Sequence, residues 1–262
     1  MSGAPAIGVI GLGEAGSAIA TDLVEAGAAV RGWDPVSPSP DQVEAAGDAA
    51  EAAAETEVVI SANSAVVARE VAESVASALR PGQVYADLNT AAPGLKRELA
   101  EALAGTGALF ADVALIGPVP GRGLRTPALV SGPGAAEFAA ILGPLGMPVM
   151  DVGPEPGAAA ARKLARSVFA KGLAAAIGEA LAAAERLGFE DWLYADLERT
   201  LEGADGALLR RLIESSRLHV GRRVEEMAAA VSMLRDAGVE PRIASASEEW
   251  LRSLAESEVA GK

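Results

Sequence analysis

Residues 7–16 read Ile7-Gly8-Val9-Ile10-Gly11-Leu12-Gly13-Glu14-Ala15-Gly16, a short apolar run that passes directly into three glycines spaced as G-x-G-x-x-G. The run has the length and composition of a buried strand, and residues 14–26 have the alanine-rich pattern of a helix. In that order each glycine has its own task. Gly11 permits the tight turn, Gly13 lets backbone N–H groups approach a pyrophosphate, and Gly16 lets the helix close on the strand. The positive end of the helix dipole then faces the phosphates. Gly11, Leu12, Gly13, Glu14, Ala15 and Gly16 are therefore the expected cradle of a dinucleotide. Asp34 ends the next apolar run, where a carboxylate can accept hydrogen bonds from ribose hydroxyls and would repel a 2′-phosphate. NAD is the expected cofactor, while Arg31 nearby leaves NADP open.

Working outward, further strands are expected at 29–33, 58–61, 84–87, 109–113 and 128–131. Helices are expected between them at 66–79, 93–103 and 135–142, with Pro93 suited to a first helical turn. This alternation describes an α/β Rossmann domain, a doubly wound parallel sheet of six strands. The turn-rich segment Gly153-Pro154-Glu155-Pro156-Gly157 breaks it, and everything beyond is helical in pattern. The domains are thus expected at 1–154, for the dinucleotide, and 155–262, an all-α domain for substrate and dimerisation. Residues 158–187 are apolar almost all round, which predicts a helix buried among packed elements and a homodimer that supplies part of its cover. In a helix over 216–237, Val220, Val224, Met227, Val231 and Leu234 form an apolar stripe. Residues 260–262 are expected to fray.

Composition excludes several classes of function. A formal charge of −14 with no separate basic patch would repel a nucleic-acid backbone. No cysteine and a single histidine, His219, leave no material for a disulfide framework or a metal cluster, so no metal is expected. The N-terminus has no signal-like segment, and no uninterrupted apolar stretch looks long enough to cross a bilayer. A soluble, cytoplasmic protein without a membrane partner is expected.

Asn63-Ser64 and Asn89-Thr90 each follow a strand at its carboxyl edge, where open α/β sheets bind ligands. They read equally well as nicotinamide-side contacts and as helix caps.

With these motifs in place the chain resembles the β-hydroxyacid dehydrogenase superfamily, which includes 3-hydroxyisobutyrate and 6-phosphogluconate dehydrogenases and, more distantly, imine reductases. The resemblance rests on the 11–16 glycine motif, on Asp112 through Pro133 as a substrate-binding stretch, and on Gly157-Ala158-Ala159 leading to Lys163, the family's catalytic lysine position. Two departures stand out: Ile116 and Gly117-Pro118 replace the family's serine and glycine pair, and Ser167 replaces its asparagine. Lys163-Leu164, Lys171-Gly172, Arg217-Leu218-His219, Arg222-Arg223 and Glu226-Met227 look like a branch of the superfamily defined by its helical domain.

The resemblance implies that Lys163 handles a proton as general acid or base, with Ser167 on the same helical face. His219, Arg222, Arg223 and Glu226 would form a polar stripe on successive turns of one helix. There the arginines can clamp a carboxylate or phosphate, and His219 can share proton transfer. Arg122 and Arg125 are further candidates for an anionic group, beside Gly117 and Pro118. The expected activity is hydride transfer between a nicotinamide cofactor and a small, anionic hydroxy acid or its keto form. The alternatives are imine reduction, for which Tyr85 and Tyr194 are the phenols on hand, and a cofactor-binding regulatory protein without turnover.

Overall fold

Strands β1 (Ala6–Ile10), β2 (Ala29–Trp33), β3 (Glu44–Ala45), β4 (Val58–Ser61), β5 (Val84–Asp87), β6 (Leu109–Leu115), β7 (Ala128–Ser131) and β8 (Val149–Asp151) form one sheet in the computed structural model, which describes residues 3–260. Their order is β3-β2-β1-β4-β5-β6-β7-β8. The chain turns outward on both sides of β1, so the carboxyl ends of β1 and β4 flank the point where the winding reverses, and a crevice opens there.

Helices α1 (Glu14–Glu25) and α5 (Ala135–Leu142) cover one face. Helices α2 (Ala49–Ala53), α3 (Ala68–Val75) and α4 (Pro93–Leu103) cover the other. Alternation along the strands feeds the two cores separately. Ile7 and Val9 pack with Ile19, Leu23, Phe138 and Leu142, whereas Ile10, Val59, Tyr85 and Phe110 pack with Leu99 and Leu103.

The Rossmann fold and its six expected strands are present, with differences that have physical causes. The sheet is not wholly parallel, because β7 runs antiparallel to β6. The link between them holds only the short turn Gly123–Arg125, and a parallel return needs a crossover long enough for a helix. Strands β3 and β8 have two and three residues, too short to show a period. Helix α2 was not foreseen, although Asp48 caps it by accepting the Glu51 N–H at 2.7 Å. Helix α3 is shorter than expected, since Ala76 and Ala78 donate to carbonyls three residues back and the helix tightens out before Pro81.

The described residues divide into two compact units, the first ending at Arg166 and the second beginning at Ser167, twelve residues beyond the expected boundary at 154/155. The cause lies at the start of α6 (Ala158–Leu187), where Ala159 and Ala160 are buried and donate their N–H groups to Ser131 Oγ and Asp112 Oδ2, each at 3.0 Å. The opening turns of this helix thereby belong to the sheet domain.

The second unit is helical. It comprises the rest of α6 with α7 (Glu190–Glu202), α8 (Gly206–Leu218), α9 (Val220–Asp236) and α10 (Arg242–Ala260). Val231 and Leu234 of the predicted stripe are buried with Ala183 and Ala244, and Met227 packs against them. Glu179 caps α10 by accepting the N–H groups of Ile243 and Ala244 at 2.8 Å each.

Two expectations about this region need correcting. Helix α6 is not enclosed by its own chain: Val168 is 76% and Phe169 67% exposed. It is also long and apolar enough to cross a membrane by length and composition alone, contrary to the sequence reading. Alanine raises the apolar count of α6 while being too small to demand cover. Residues 261 and 262 of the stretch expected to fray lie outside the described residues.

Candidate active site

The glycine turn has the geometry its spacing predicts. Gly11 has φ +97°, and a Cβ there would fall 2.6 Å from the Ala62 carbonyl oxygen. A Cβ on Gly16 would fall 1.8 Å from the Gly11 carbonyl oxygen, so α1 can approach β1 this closely only with glycine. Gly13 is the N-cap of α1, with no side chain capping the helix and nothing within 4 Å of where its Cβ would lie. Glu14 and Ala15 follow in the first turn. Uncapped N–H groups at a helix start, beside open space, fit a pyrophosphate. Leu12 departs from the expected contact role: its side chain is buried over Gly32 and its N–H is already engaged.

The partner of that N–H is Asp34, whose Oδ2 accepts from Leu12 at 2.8 Å while Oδ1 accepts from Val36 and Ser37, each at 2.8 Å. Burial by itself would raise the carboxyl pKa, but these three backbone bonds outweigh it and hold Asp34 below its ordinary value. Asp34 lies with Gly11, Trp33, Asn63, Ser64, Val67 and other residues along a cleft of about 540 Å³, sized for an adenosine. Arg31 is turned to other work, its Nε 3.2 Å from Glu44 and its Nη1 donating to the Glu51 carbonyl.

A second pocket, of about 220 Å³, lies past the glycine turn and shares Asn63 with the first. Its polar lining is Asn63, Asn89, Thr90 and Lys163. Ala15, Ile19, Ala62, Leu88, Leu115, Gly117 and Val119 complete it. Lys163 Nζ donates to Thr90 Oγ1 at 2.7 Å. Asn89 Nδ2 donates to Asn63 Oδ1 at 2.9 Å, Asn63 Nδ2 reaches the Ile10 carbonyl at 3.3 Å, and Asn89 Oδ1 is buried without a partner among the described residues. Neither pair caps a helix, because α3 begins at Ala68 and α4 at Pro93, each without a side-chain cap. Asn63-Ser64 and Asn89-Thr90 therefore line pockets and cap neither helix.

Gly117 bends the substrate-stretch loop at φ +132°, and a Cβ there would lie 3.4 Å from Arg122 Nη1. Arg122, Arg125 and Pro118 are exposed. The loop is fastened to α1, where Asp22 Oδ2 accepts the Leu124 N–H at 2.8 Å. Tyr85 is wholly buried against Phe110, and burial pushes its hydroxyl pKa up, so it is no proton donor to a ligand. Tyr194 is exposed in the second unit.

Ser167, half-buried, opens the second unit. The polar stripe expected on one helix is interrupted, because His219 has φ −127° and ψ 30° and separates α8 from α9. Val220 and Gly221, both weak helix formers, follow the break. His219, Arg222 and Glu226 are exposed, and Arg223 donates to Ser215 Oγ at 2.8 Å.

Sequence reasoning missed the polar groups behind the pocket. Lys96 is 1% exposed, and its Nζ sits 2.7 Å from Asp87 Oδ2 and 3.2 Å from Asp112 Oδ1. Burial pushes the Asp87 carboxyl up, against the opposing pull of Lys96. A signal was available, since Lys96, Leu99 and Leu103 share the buried face of α4.

A glycine turn at a helix start, a carboxylate at the end of β2 and a polar pocket at the winding reversal define a protein that binds a nicotinamide dinucleotide. The match is more specific than that: residues 6–153 fit the family described as the NAD binding domain of 6-phosphogluconate dehydrogenase, and the chain belongs to it. Residues 184–254 match a domain of unknown function, DUF1932.

The chain is 28% identical over 211 residues to the mitochondrial 3-hydroxyisobutyrate dehydrogenase of Drosophila melanogaster, a match covering 77% of this chain and 65% of that protein. It therefore spans a little under two thirds of that relative's length. A solved conserved protein of unknown function, described as structurally similar to 3-hydroxyacid dehydrogenases, is 30% identical over 98% of this chain and 99% of its own, with TM-score 0.63. An imine reductase variant from Myxococcus stipitatus, solved with NAD+, has TM-score 0.82 at 20% identity, covering 97% and 94% of the two chains, and shares the fold.

Proposed function

We propose that this protein is an NAD-dependent oxidoreductase acting on a small, anionic hydroxy acid or its keto form, with Lys163 as the general acid and base. The observation that carries the reading is the Lys163–Thr90 contact of 2.7 Å in a pocket directly beyond the dinucleotide cradle. When bound, a nicotinamide supplies or accepts the hydride at its C4. The chain does the rest. The α1 N-terminus around Gly13 binds the pyrophosphate, Asp34 holds the glycine turn and turns away a 2′-phosphate, and Asn63 and Asn89 orient the nicotinamide end.

In reduction the Lys163 ammonium gives a proton to the carbonyl oxygen as the carbonyl carbon gains hydride. In oxidation the free amine takes the hydroxyl proton as the carbon loses hydride. Thr90 fixes the Nζ position by accepting one of its hydrogens. The apolar walls exclude water, and Arg122 at the Gly117 bend suits the substrate's carboxylate or phosphate. We place the enzyme in the cytoplasm as a soluble homodimer associating through helices of the second unit.

A second reading, imine reduction, is favoured by the apolar walls and by Ile116 where the resembled family has serine. The two separate in one panel assay of NADH oxidation with short 3-oxo acids, their semialdehydes and cyclic imines. Preference for the acids by roughly tenfold in kcat/KM supports the first reading. Preference for imines supports the second, and NADH binding with no turnover across the panel leaves a cofactor-binding regulator.

A further inference from the structure

The ion cluster behind the pocket has no account in stability alone. Lys96 occupies a core position of α4, where a well-packed apolar residue usually stabilises a fold as well as a buried ion pair does. Its ammonium donates to Asp87 at the end of β5, to Oδ2 at 2.7 Å and to the carbonyl oxygen at 2.8 Å, and lies 3.2 Å from Asp112 Oδ1 of β6.

The other oxygen of each carboxylate leads to the pocket. Asp87 Oδ1 accepts from Asn89 Nδ2, and Asn89 adjoins Thr90. Asp112 Oδ2 accepts the Ala160 N–H at 3.0 Å and the Ser131 hydroxyl at 3.2 Å, while Ser131 Oγ accepts the Ala159 N–H at 3.0 Å. The first amides of α6 are thus tied to Asp112, and the next turn of α6 carries Lys163. One buried cation joins the two backbone segments whose side chains meet as Thr90 and Lys163.

We propose that Lys96 is a positioning residue for the reaction: by binding Asp87 and Asp112 together it sets the β5 end against the α6 start and so fixes the Lys163–Thr90 pair. This rests on the reading of Lys163 as the proton-handling group. The electrostatics suit such a clamp. Two neighbouring carboxylates repel unless a cation lies between them, and a helix N-terminus adds its own attraction for Asp112. Charge-assisted bonds are also shorter and more directional than apolar packing.

The test uses the full-length chain with Lys96→Met, and with the charge-neutral triple variant Asp87→Asn/Lys96→Met/Asp112→Asn. The triple variant leaves no uncompensated buried charge and keeps the protein folded should Lys96→Met alone not fold. Hydrogen exchange is followed in peptides covering 88–91 and 158–163, and Lys163 modification by trinitrobenzenesulfonate is followed against pH by mass spectrometry.

The expected result is faster exchange in both segments together, unchanged exchange over 7–16, and an altered pH profile of Lys163 modification. A loss of roughly tenfold or more in kcat should accompany them, with KM for NADH little changed, because small misplacements are costly to reactivity. Restored exchange, Lys163 profile and kcat in the folded triple variant would overturn the proposal and leave Lys96 a structural charge. Normal turnover in Lys163→Met would instead remove the reading of Lys163 while leaving the exchange result to stand or fall alone.

Discussion

Replacing Lys163 with Met keeps the unbranched stem and removes the ammonium, which isolates proton handling from packing. The structural loss includes the hydrogen bond to Thr90 Oγ1, made at an incompletely buried site. Such a bond contributes about 1 kcal/mol net. For a domain of this size that is a fall of about 2–4 °C in Tm. The catalytic loss is expected to be larger, since general acid–base catalysis commonly contributes ~10²–10⁴-fold. At about 1.4 kcal/mol per decade this is roughly 3–5 kcal/mol, well above the stability term. One preparation therefore separates the effects by Tm, NADH titration and steady-state rate on the best substrate of the panel. A drop of at least about 100-fold in kcat, with NADH affinity and fold retained, is expected. Normal kcat in a folded Lys163→Met protein would refute the assignment.

The glycine turn offers a paired test: Gly13→Ala should leave Tm unchanged, because nothing lies within 4 Å of its Cβ, yet weaken NADH binding by occupying the phosphate space. Gly16→Ala, whose Cβ would lie 1.8 Å from a backbone oxygen, should lower Tm as well. Calorimetric titration and thermal melts distinguish the two. Asp34 has a folded-state pKa below its unfolded value, so its contribution to stability is complete above the unfolded pKa and is lost as pH falls through the folded one. Asp34→Asn should therefore be less stable than wild type at pH 7 and show a smaller loss of Tm on acidification toward pH 3, and its preference for NADH over NADPH should narrow. In the second unit Phe169, Trp192 and Ile213 are 67%, 62% and 52% exposed, and exposed apolar side chains of this size are expected to be covered by a second copy. Light scattering should give a dimer mass, and a monomer at all concentrations would contradict it.

The dinucleotide end was legible because its determinants are local. Glycine spacing, a strand followed at once by a helix, and an acid at the next strand end are short-range patterns, and Gly11, Gly16 and Asp34 occupy the geometry they imply. The sheet alternation was legible for the same reason, except where elements were too brief for a period, as in β3, α2 and β8. The direction of β7 depends on what a twelve-residue link without an α-helix can span, which no local period records.

The rest was settled by contacts between residues far apart in sequence. Asn63 and Asn89 read equally well as helix caps in the sequence, and only the starts of α3 and α4, set beyond them, removed that reading. His219 fell on the expected stripe as long as α8 and α9 were read as one helix, and the break at its backbone removed it. Lys96 shares the buried face of its helix with Leu99 and Leu103, but its partners Asp87 and Asp112 are brought to it by neighbouring strands. Periodicity determines which face of an element is buried, but only the assembled sheet decides which charges meet there, because burying a charge is tolerable only where its partner has already been placed.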